Sequence, residues 1–421
     1  MSFYHKFLTK IKIIVTSNVL NLISSQLIRT GQYWKFMEKF AGKSGVYPSN
    51  RELLSFSQHK IFCENKLDNT FNNITSGELP ELARNILESG FESANLNEMR
   101  ILFIYDNSIA NATSEPLENL RTSSQFLGVS TCLLDISEYS NEKNDLKMLN
   151  YALDFSPTII IFALHGNLNQ DSKYLLSVDF ILKIKKNTGS TVAIVCFDIW
   201  RDSDLSFVQY WKNAATLFLH IDPIAVKRIE DVDLEKKFLL WPFPALQASE
   251  RPIIAKQNNL IFSGSIKEQD RRFWLRNLSR IAKNRNMKLV LIIFNYHKPK
   301  SRSNWSSYID NLSKSLVGVS LTQKSNSHAL VTGRIFDVIS VGSLVLQQEM
   351  GNKKPLSYFY NEYEHYLSFR CLCEIEQIID WISLNVNSAK HIGAASRKFN
   401  NFHYSPERLW KYLYIKSKQL E

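Results

Sequence analysis

The chain has 421 residues, of which 44% are hydrophobic and 22% charged, so its composition excludes a disordered protein and allows two domains with filled cores. The formal net charge of +11 favours anionic partners, but it does not choose among nucleotide phosphates, lipid headgroups and nucleic acid. Five cysteines without framework spacing indicate reduced thiols and a cytoplasmic protein. We expect no membrane-spanning segment, because no apolar run is long enough, and no signal peptide, because Lys10 and Lys12 interrupt the first apolar stretch.

Residues 1–95 are predicted to form a helical N-terminal extension. Apolar residues recur at helical spacing over residues 1–29, and every charge in that stretch is basic. This pattern predicts that residues 1–43 dock on an anionic membrane surface, which would make the protein peripheral at the inner face of the membrane. A helix packed on the body of the protein is the alternative, and the sequence leaves both open.

A first α/β domain, residues 96–247, is predicted to follow. Short apolar runs alternate there with helical patterns, an order typical of a doubly wound parallel sheet. The predicted strands cover residues 100–105, 130–134, 158–163, 191–196 and 215–220, and the predicted helices cover residues 116–127, 146–155, 178–188 and 207–213. Ligands bind at the carboxyl ends of such strands, where the chain places Asp106, His165, Asp198 and Asp222. His165 and Asp198 are therefore candidate general bases, while a loop histidine with a backbone partner and an Asx turn are their structural alternatives.

A second α/β domain, residues 248–402, is predicted after a crossover at 239–245 that its prolines stiffen. The predicted strands cover residues 259–262, 289–294, 317–321 and 343–346, and the predicted helices of this half cover residues 273–283, 304–315, 374–385 and 406–416. Residues 358–366 are predicted as an acidic, aromatic loop that either packs locally or lines a nucleotide pocket. Residues 403–421 are predicted to carry a C-terminal helix that packs back on the first domain.

The stretch Val331–Leu346 predicts a loop, a short helix, a tight turn and a buried strand. Gly333 and Arg334 stand at the entry to the helix, where unpaired N–H groups and a planar guanidinium suit a phosphate. Gly342 is expected to end the helix in the left-handed conformation. Asp337, one turn into the helix, is placed to accept hydrogen bonds from sugar or ribose hydroxyls. An ordinary αβ unit of a parallel sheet is the alternative.

Four segments of the chain resemble, in their order, a known enzyme family. They are Ser263-Gly-Ser with Arg271 and Arg272 downstream, Gly333-Arg-x-Phe-Asp-x4-Gly342, the helix at 374–385, and His403-Tyr-Ser-Pro-Glu-Arg408. The set resembles the CgeB-like (spore-maturation-protein) type of group 1 glycosyltransferases over about residues 99–416. Cys196-Phe-Asp198 and Trp241-Pro-Phe-Pro244 are similar to the N-terminal half of that family.

This resemblance implies the GT-B fold, in which two Rossmann-like domains face each other across a cleft. It implies a nucleotide-sugar donor on the second domain, a glycan, lipid-linked or protein acceptor on the first, and neither a bound metal nor another cofactor. The donor phosphates would then be neutralised by the chain's own cations and main-chain N–H groups. The implied donor-binding residues are Gly264, Ser265, Lys267, Arg271, Arg272, Gly333, Arg334 and Asp337, and the candidate catalytic residues are Asp198, His165 and Asp337.

The Glu-x7-Glu signature of the wider GT-B group is incomplete in this chain. Asp337 stands at its second position and Ala329 at its first. A GT-B module that binds a sugar nucleotide or glycan without turning it over is therefore an alternative to an active enzyme. A basic nucleic-acid-binding protein is a further alternative, which rests on the net charge alone, with no recognised motif. The prediction is a glycosyltransferase without a nucleic-acid partner.

Overall fold

The computed structural model describes residues 78–420, apart from ten internal segments. Those segments are residues 106–113, 136–142, 163–176, 197–198, 200–201, 245–254, 267–268, 294–304, 326–327 and 350–353. The predicted membrane-docking segment, residues 1–43, lies outside the described residues, as does most of the predicted N-terminal extension. Among the described helices, none is both long and apolar enough to cross a membrane.

The first domain is built on a six-stranded sheet in which all neighbouring strands are parallel. Its strands are β1 (Arg100–Tyr105), β2 (Ser130–Asp135), β3 (Ile159–Phe162), β4 (Thr191–Cys196), β5 (Leu217–His220) and β6 (Phe238–Leu240). They lie in the spatial order β2-β1-β3-β4-β5-β6. Every residue of β3, β4 and β5 is buried, as expected for a parallel sheet that carries helices on both faces.

One helix, α1 (Glu81–Glu88), lies within the range predicted as the N-terminal extension. Four helices follow the predicted alternation: α2 (Ser114–Phe126), α3 (Lys143–Phe155), α4 (Val178–Thr188) and α5 (Asp202–Trp211). The short helices α6 (Pro223–Val226) and α7 (Val232–Glu235) were not predicted, and single 3-10 turns lie at Phe91–Ser93 and Leu96–Glu98. Helix α4 shows why its bounds agree with the sequence. The Ser177 hydroxyl accepts a hydrogen bond from the Phe180 N–H at its start, and Gly189 ends it with a φ of 67°.

The second domain is built on a five-stranded sheet, again wholly parallel. Its strands are β7 (Gln257–Gly264), β8 (Lys288–Ile293), β9 (Ser315–Ser320), β12 (Leu344–Gln348) and β13 (Tyr366–Phe369), and a separate hairpin pairs β10 (Gln323–Ser325) with β11 (His328–Ala329). The helices of this half are α8 (Gln269–Asn284), α9 (Trp305–Lys314), α10 (Gly333–Ser340), α11 (Leu372–Leu384), α12 (Val386–His403) and α13 (Pro406–Gln419), with a 3-10 turn at Pro355–Tyr358. The spatial order of the sheet is β13-β12-β9-β7-β8.

Both sheets share one topology, because in each the second strand lies outside the first and the later strands follow on the other side. The strand order therefore reverses between the first and third strands, and a crevice opens there at the carboxyl ends. In the second domain this point lies between β7, which ends at Gly264, and β9, which ends at Ser320. Helix α10 lies directly against β9, since a Cβ on Gly318 would come within 2.5 Å of a Val338 methyl carbon. The fold thus brings the start of α10 to the crevice.

Strand β6 and a long helix differ from the sequence-based prediction. The crossover predicted at 239–245 overlaps β6, which pairs with β5 as the sixth strand. Its apolar run is short and prolines follow it closely, so the sequence was interpreted as a connection instead of a strand. The predicted helix at 374–385 ends at Leu384, and α12 begins immediately afterwards, at Val386. The prediction missed α12 because Asn, Ser and Gly interrupt its apolar pattern.

The aromatic loop predicted at 358–366 packs locally and is not among the residues that line the cavity described below. Phe359, Tyr360 and Tyr366 are 0% exposed, and Tyr366 begins β13, which the sequence did not predict. The Tyr360 hydroxyl donates to Asn400 Oδ1 on α12 at 2.7 Å. Of the two interpretations of this loop, local packing is therefore the one that the structure shows.

The last helix, α13, packs on the first domain. Trp410 Nε1 donates to the Ser123 hydroxyl on α2 at 3.0 Å, and its ring meets Phe103 of β1 edge-on at 6.5 Å. Trp241, just after β6, donates from Nε1 to the Leu409 carbonyl at 2.9 Å. The indole rings of Trp241 and Trp410 also contact each other. These buried contacts make α13 part of the core of the first domain.

Candidate functional site

The turn that follows β7, Ser263-Gly264-Ser265, lies at the reversal of strand order in the second sheet. Gly264 has a φ of 150°, a conformation that residues with a side chain rarely adopt. Arg334, in the first turn of α10, crosses this turn and donates from Nη1 to the Ser263 carbonyl at 2.7 Å. A Cβ on Gly264 would collide with that same nitrogen. Glycine is therefore the residue that lets the guanidinium lie against the turn.

A second arginine holds the other end of the turn. Arg271, on α8, donates from Nη1 to the Ser265 carbonyl at 2.7 Å and is only 6% exposed. Its neighbour Arg272 is partly exposed. The structure thus brings together Arg271 and Arg334, which the sequence predicted from distant segments, on carbonyls two residues apart. Two guanidinium groups concentrate positive charge at one crevice.

The N-terminus of α10 opens on the same turn. Thr332 precedes Gly333, but its side chain does not cap the helix, and its buried Oγ1 has no partner among the described residues. The first N–H groups of α10 thus have no side-chain acceptor from the residue that usually supplies one. Within the described part of the chain, Nη1 is the Arg334 nitrogen that has a hydrogen-bond acceptor. Nε and Nη2 remain as donors for a ligand.

Asp337 is anchored by a residue that the sequence did not single out. The Tyr308 hydroxyl, on α9, donates to Asp337 Oδ2 at 3.1 Å, and the Ser263 hydroxyl lies 3.5 Å from it. Tyr308 is 3% exposed, and burial together with the nearby carboxylate raises its pKa well above the ordinary value. The phenol therefore stays protonated. No sequence signal distinguished Tyr308 from an ordinary core tyrosine.

A small pocket lies beside this cluster. It is lined by Ile261, Phe262, Ser263, Leu312, Gly318, Val319, Ser320, Leu321, Thr322, Arg334, Ile335, Val338 and Val345. The polar lining comes from the ends of β7 and β9 and from Arg334. Most of the remaining lining is apolar, so a ligand that entered the cavity would be partly desolvated.

Several predicted site residues lie outside the described residues. They are His165, Asp198 and Lys267, and the roles assigned to them stay predictions. Asp222, which the sequence also placed at a strand end, is 2% exposed and accepts a hydrogen bond from the Ile224 N–H at 3.1 Å. The described residues contain no group of three or more His, Cys, Asp or Glu side chains arranged to hold a metal ion.

A further buried carboxylate lies just beyond β12. Glu349 is 1% exposed, and its Oε2 has no hydrogen-bond partner among the described residues. Burial, and to a smaller extent the nearby Glu362 carboxylate, raises the pKa of Glu349 to about 7. This group bears on stability, because an ionised carboxylate that is buried with one oxygen unpaired is costly.

Comparisons with known proteins identify the fold. No protein-family model matches the sequence, and no curated protein matches it. A glycosyltransferase from Rickettsia africae is similar over 77% of this chain and 99% of its own, at 12% identity and a TM-score of 0.50. An α-glucosyltransferase, solved with UDP-glucose and DNA containing an abasic site, is similar over 76% and 99%, at 10% identity and 0.49. Anabaena HepE, solved with UDP and glucose, is similar over 76% and 98%, at 8% identity and 0.46.

At 12% identity the likeness to the Rickettsia structure shows the fold alone. The chain has the GT-B fold. The two parallel sheets are the two Rossmann-like domains that the resemblance implied, and the arginine-clamped turn belongs to the C-terminal one. The CgeB-like subtype stays a prediction.

Proposed function

We propose that the protein is a CgeB-like glycosyltransferase, which moves a sugar from a nucleotide-sugar donor to a glycan, lipid-linked or protein acceptor without a bound metal. The observation that carries this proposal is the contact between Arg334 and the glycine turn after β7. That contact holds a guanidinium at the strand reversal of the C-terminal domain, beside the start of α10. Arginine and helix N–H groups are the donors that proteins use for phosphates.

The donor diphosphate is proposed to bind across the turn between Arg334 and the first N–H groups of α10. Arg271 adds positive charge from α8 while it fixes the Ser265 carbonyl. Arg272 and Lys267 are assigned to the same diphosphate on the resemblance alone. As the bond to the sugar breaks, negative charge grows on the leaving diphosphate, and fixed cations stabilise that charge most in the transition state.

Two further roles follow from the resemblance. Asp337 is proposed to accept hydrogen bonds from hydroxyls of the donor, since it lies one turn into α10 and is partly exposed. Asp198 or His165, from the N-terminal domain, is proposed to take the proton of the acceptor. Ala329 stands where the wider GT-B group has an acidic residue. The absence of that acidic side chain favours the alternative function, a module that binds the donor without transferring its sugar.

A panel experiment separates the enzyme from its rival. Thermal shifts of the purified chain are measured with UDP, GDP, ADP, CMP and their sugar conjugates, because a ligand at 100 times its Kd stabilises a protein by about 2.7 kcal/mol. The conjugates that bind are then assayed for release of the nucleotide, with and without acceptor, and with EDTA. Release that persists in EDTA supports the proposal; binding without release supports the module; no binding contradicts both.

Residues 1–43 are proposed to hold the enzyme at the cytoplasmic face of an anionic membrane, near lipid-linked acceptors. The support is the basic, helically spaced pattern of the segment. Sedimentation with phosphatidylglycerol vesicles should fall after deletion of these residues and at high salt, and it should be absent with phosphatidylcholine vesicles. Equal sedimentation of the full and shortened chains would contradict membrane docking by this segment.

A further inference from the structure

Tyr308 connects three elements of the candidate site through a single hydroxyl. The residue comes from α9, and its hydroxyl lies 3.1 Å from Asp337 Oδ2 on α10 and 3.5 Å from the Ser263 hydroxyl at the end of β7. Arg334 lies close enough to interact electrostatically with the same phenol. Ser263 and Arg334 form the contact at the glycine turn, and Asp337 lies one helical turn beyond Arg334 on α10.

The direction of these hydrogen bonds follows from the available protons. A carboxylate only accepts, so the one proton of the phenol points at Asp337. The Ser263 hydroxyl must then donate to the phenol oxygen. This order orients both polar groups: the Asp337 carboxylate is held from the side of α9, and Ser263 Oγ presents lone pairs to its surroundings.

We propose that Tyr308 is a positioning residue of the donor site, which holds the Asp337 carboxylate in the orientation that receives the ribose hydroxyls of the donor. The inference rests on the proposed function, since it assumes that Asp337 meets the donor. Tyr308 itself is 3% exposed and touches no ligand in this role. It acts through Asp337.

The Asp337 carboxylate needs a hydrogen bond from outside α10 to fix its orientation. An aspartate has one carbon less than a glutamate, so its reach is short and its productive orientation depends on the second group that holds it. Within α10 the Asp337 carbonyl already accepts from the Ser340 hydroxyl, but that bond does not orient the carboxylate. The buried phenol of Tyr308, on α9, provides an orienting bond to the carboxylate.

The test compares Tyr308→Phe with a matched buried tyrosine. Tyr404→Phe is the control, because Tyr404 is also 3% exposed and its hydroxyl also donates one hydrogen bond, to the Phe359 carbonyl at 2.7 Å. Titration calorimetry uses UDP, GDP and ADP, each paired with its 2′,3′-dideoxy analogue. The same titrations are made with Asp337→Ala and with the Tyr308→Phe/Asp337→Ala double variant.

Tyr308→Phe is expected to weaken binding of the ribonucleotide about tenfold and to leave binding of the dideoxy analogue unchanged. It should add nothing in the Asp337→Ala background, and Tyr404→Phe should lower stability without changing either affinity. Equal ribonucleotide affinity in the wild type and Tyr308→Phe, or equal losses for both nucleotides, overturns the positioning role. A wild type that binds every dideoxy analogue as well as its ribonucleotide also overturns it, while the donor site itself stands. A wild type that binds no nucleotide overturns the proposed function and this inference with it.

Discussion

Replacing Arg334 with lysine separates the contact that the arginine makes with the glycine turn from the phosphate contact proposed for it. Nη1 donates to the Ser263 carbonyl at 2.7 Å, while Nε and Nη2 are the donors proposed for the phosphate. A lysine ammonium is a single point of charge, so it can take the carbonyl or the phosphate but does not reproduce the planar fork. The alanine variant loses both contacts and the charge. The difference in activity between the lysine and alanine variants therefore separates the contribution of the positive charge from that of the planar guanidinium.

The magnitude follows from the chemistry of the contact. A hydrogen bond to a charged group contributes about 1.5–3 kcal/mol, and loss of a preorganised donor to developing negative charge costs about 2.7–4 kcal/mol. At about 1.4 kcal/mol per tenfold change, Arg334→Ala should lower kcat/KM by roughly one to three orders of magnitude. Arg334→Lys should lower it by roughly tenfold, since the charge remains.

Steady-state kinetics with the donor found in the panel give kcat/KM, and urea unfolding shows whether each variant is folded. Arg280→Ala is the control, because it removes a positive charge from an exposed position on α8 whose hydrogen bond, to Asn277 Oδ1, is long at 3.4 Å. The control should retain wild-type kinetics. A folded Arg334→Ala variant with unchanged kcat/KM would show that Arg334 does not bind the donor phosphate, and would refute the proposed role.

Three further predictions concern stability. Gly393→Ala should lower the free energy of unfolding by about 2 kcal/mol or more, because a Cβ there would lie 2.6 Å from the Gly342 carbonyl oxygen. Gly333→Ala is the control and should not lower it, since no atom lies within 4 Å of the added Cβ. Urea titration compares the two variants, and equal losses would contradict the packing argument. Burial lowers the pKa of His220 to about 4 from 6.5, so the unfolded chain binds the extra proton first and stability should fall by about 3 kcal/mol as the pH drops through this window; His220→Asn should flatten the profile, and an unchanged slope would refute the assignment. Burial raises the pKa of Glu349 to about 7 from 4.5, so stability should be lost as the pH rises through that window, and Glu349→Gln should unfold at a higher temperature than the wild type at pH 8; a lower one would refute the cost assigned to the buried charge.

Much of the fold was accessible from the sequence because its signals are local. Strands β1 and β4 are short apolar runs, and helix α4 lies between a capping serine and a glycine. The bounds predicted for all three agree to the residue with those observed. The helix α12 was not predicted, because Asn, Ser and Gly interrupt its apolar pattern. Its Gly393 fits against the Gly342 carbonyl, a contact between residues far apart in sequence.

The candidate site shows the same division between local and long-range information. The roles of Gly264 and Arg334 could be suggested from motifs, but their mutual contact joins residues in separate motifs, and no spacing rule contains it. Tyr308 was missed because a buried tyrosine on a helix looks like core until its hydroxyl is seen to face Asp337. Glu349 follows an apolar strand, where the sequence gives no measure of how completely the chain covers it.

The indole pair formed by Trp241 and Trp410 has a practical consequence for anyone who divides this protein. A fragment that stopped before residue 403 would expose apolar surface on the first Rossmann-like domain, where Trp410 now packs against Phe103 and donates to the Ser123 hydroxyl. Such a fragment should aggregate unless α13 is returned to it, as a separate peptide or by a fused linker. The two halves are therefore better studied in one uncut polypeptide than as isolated pieces.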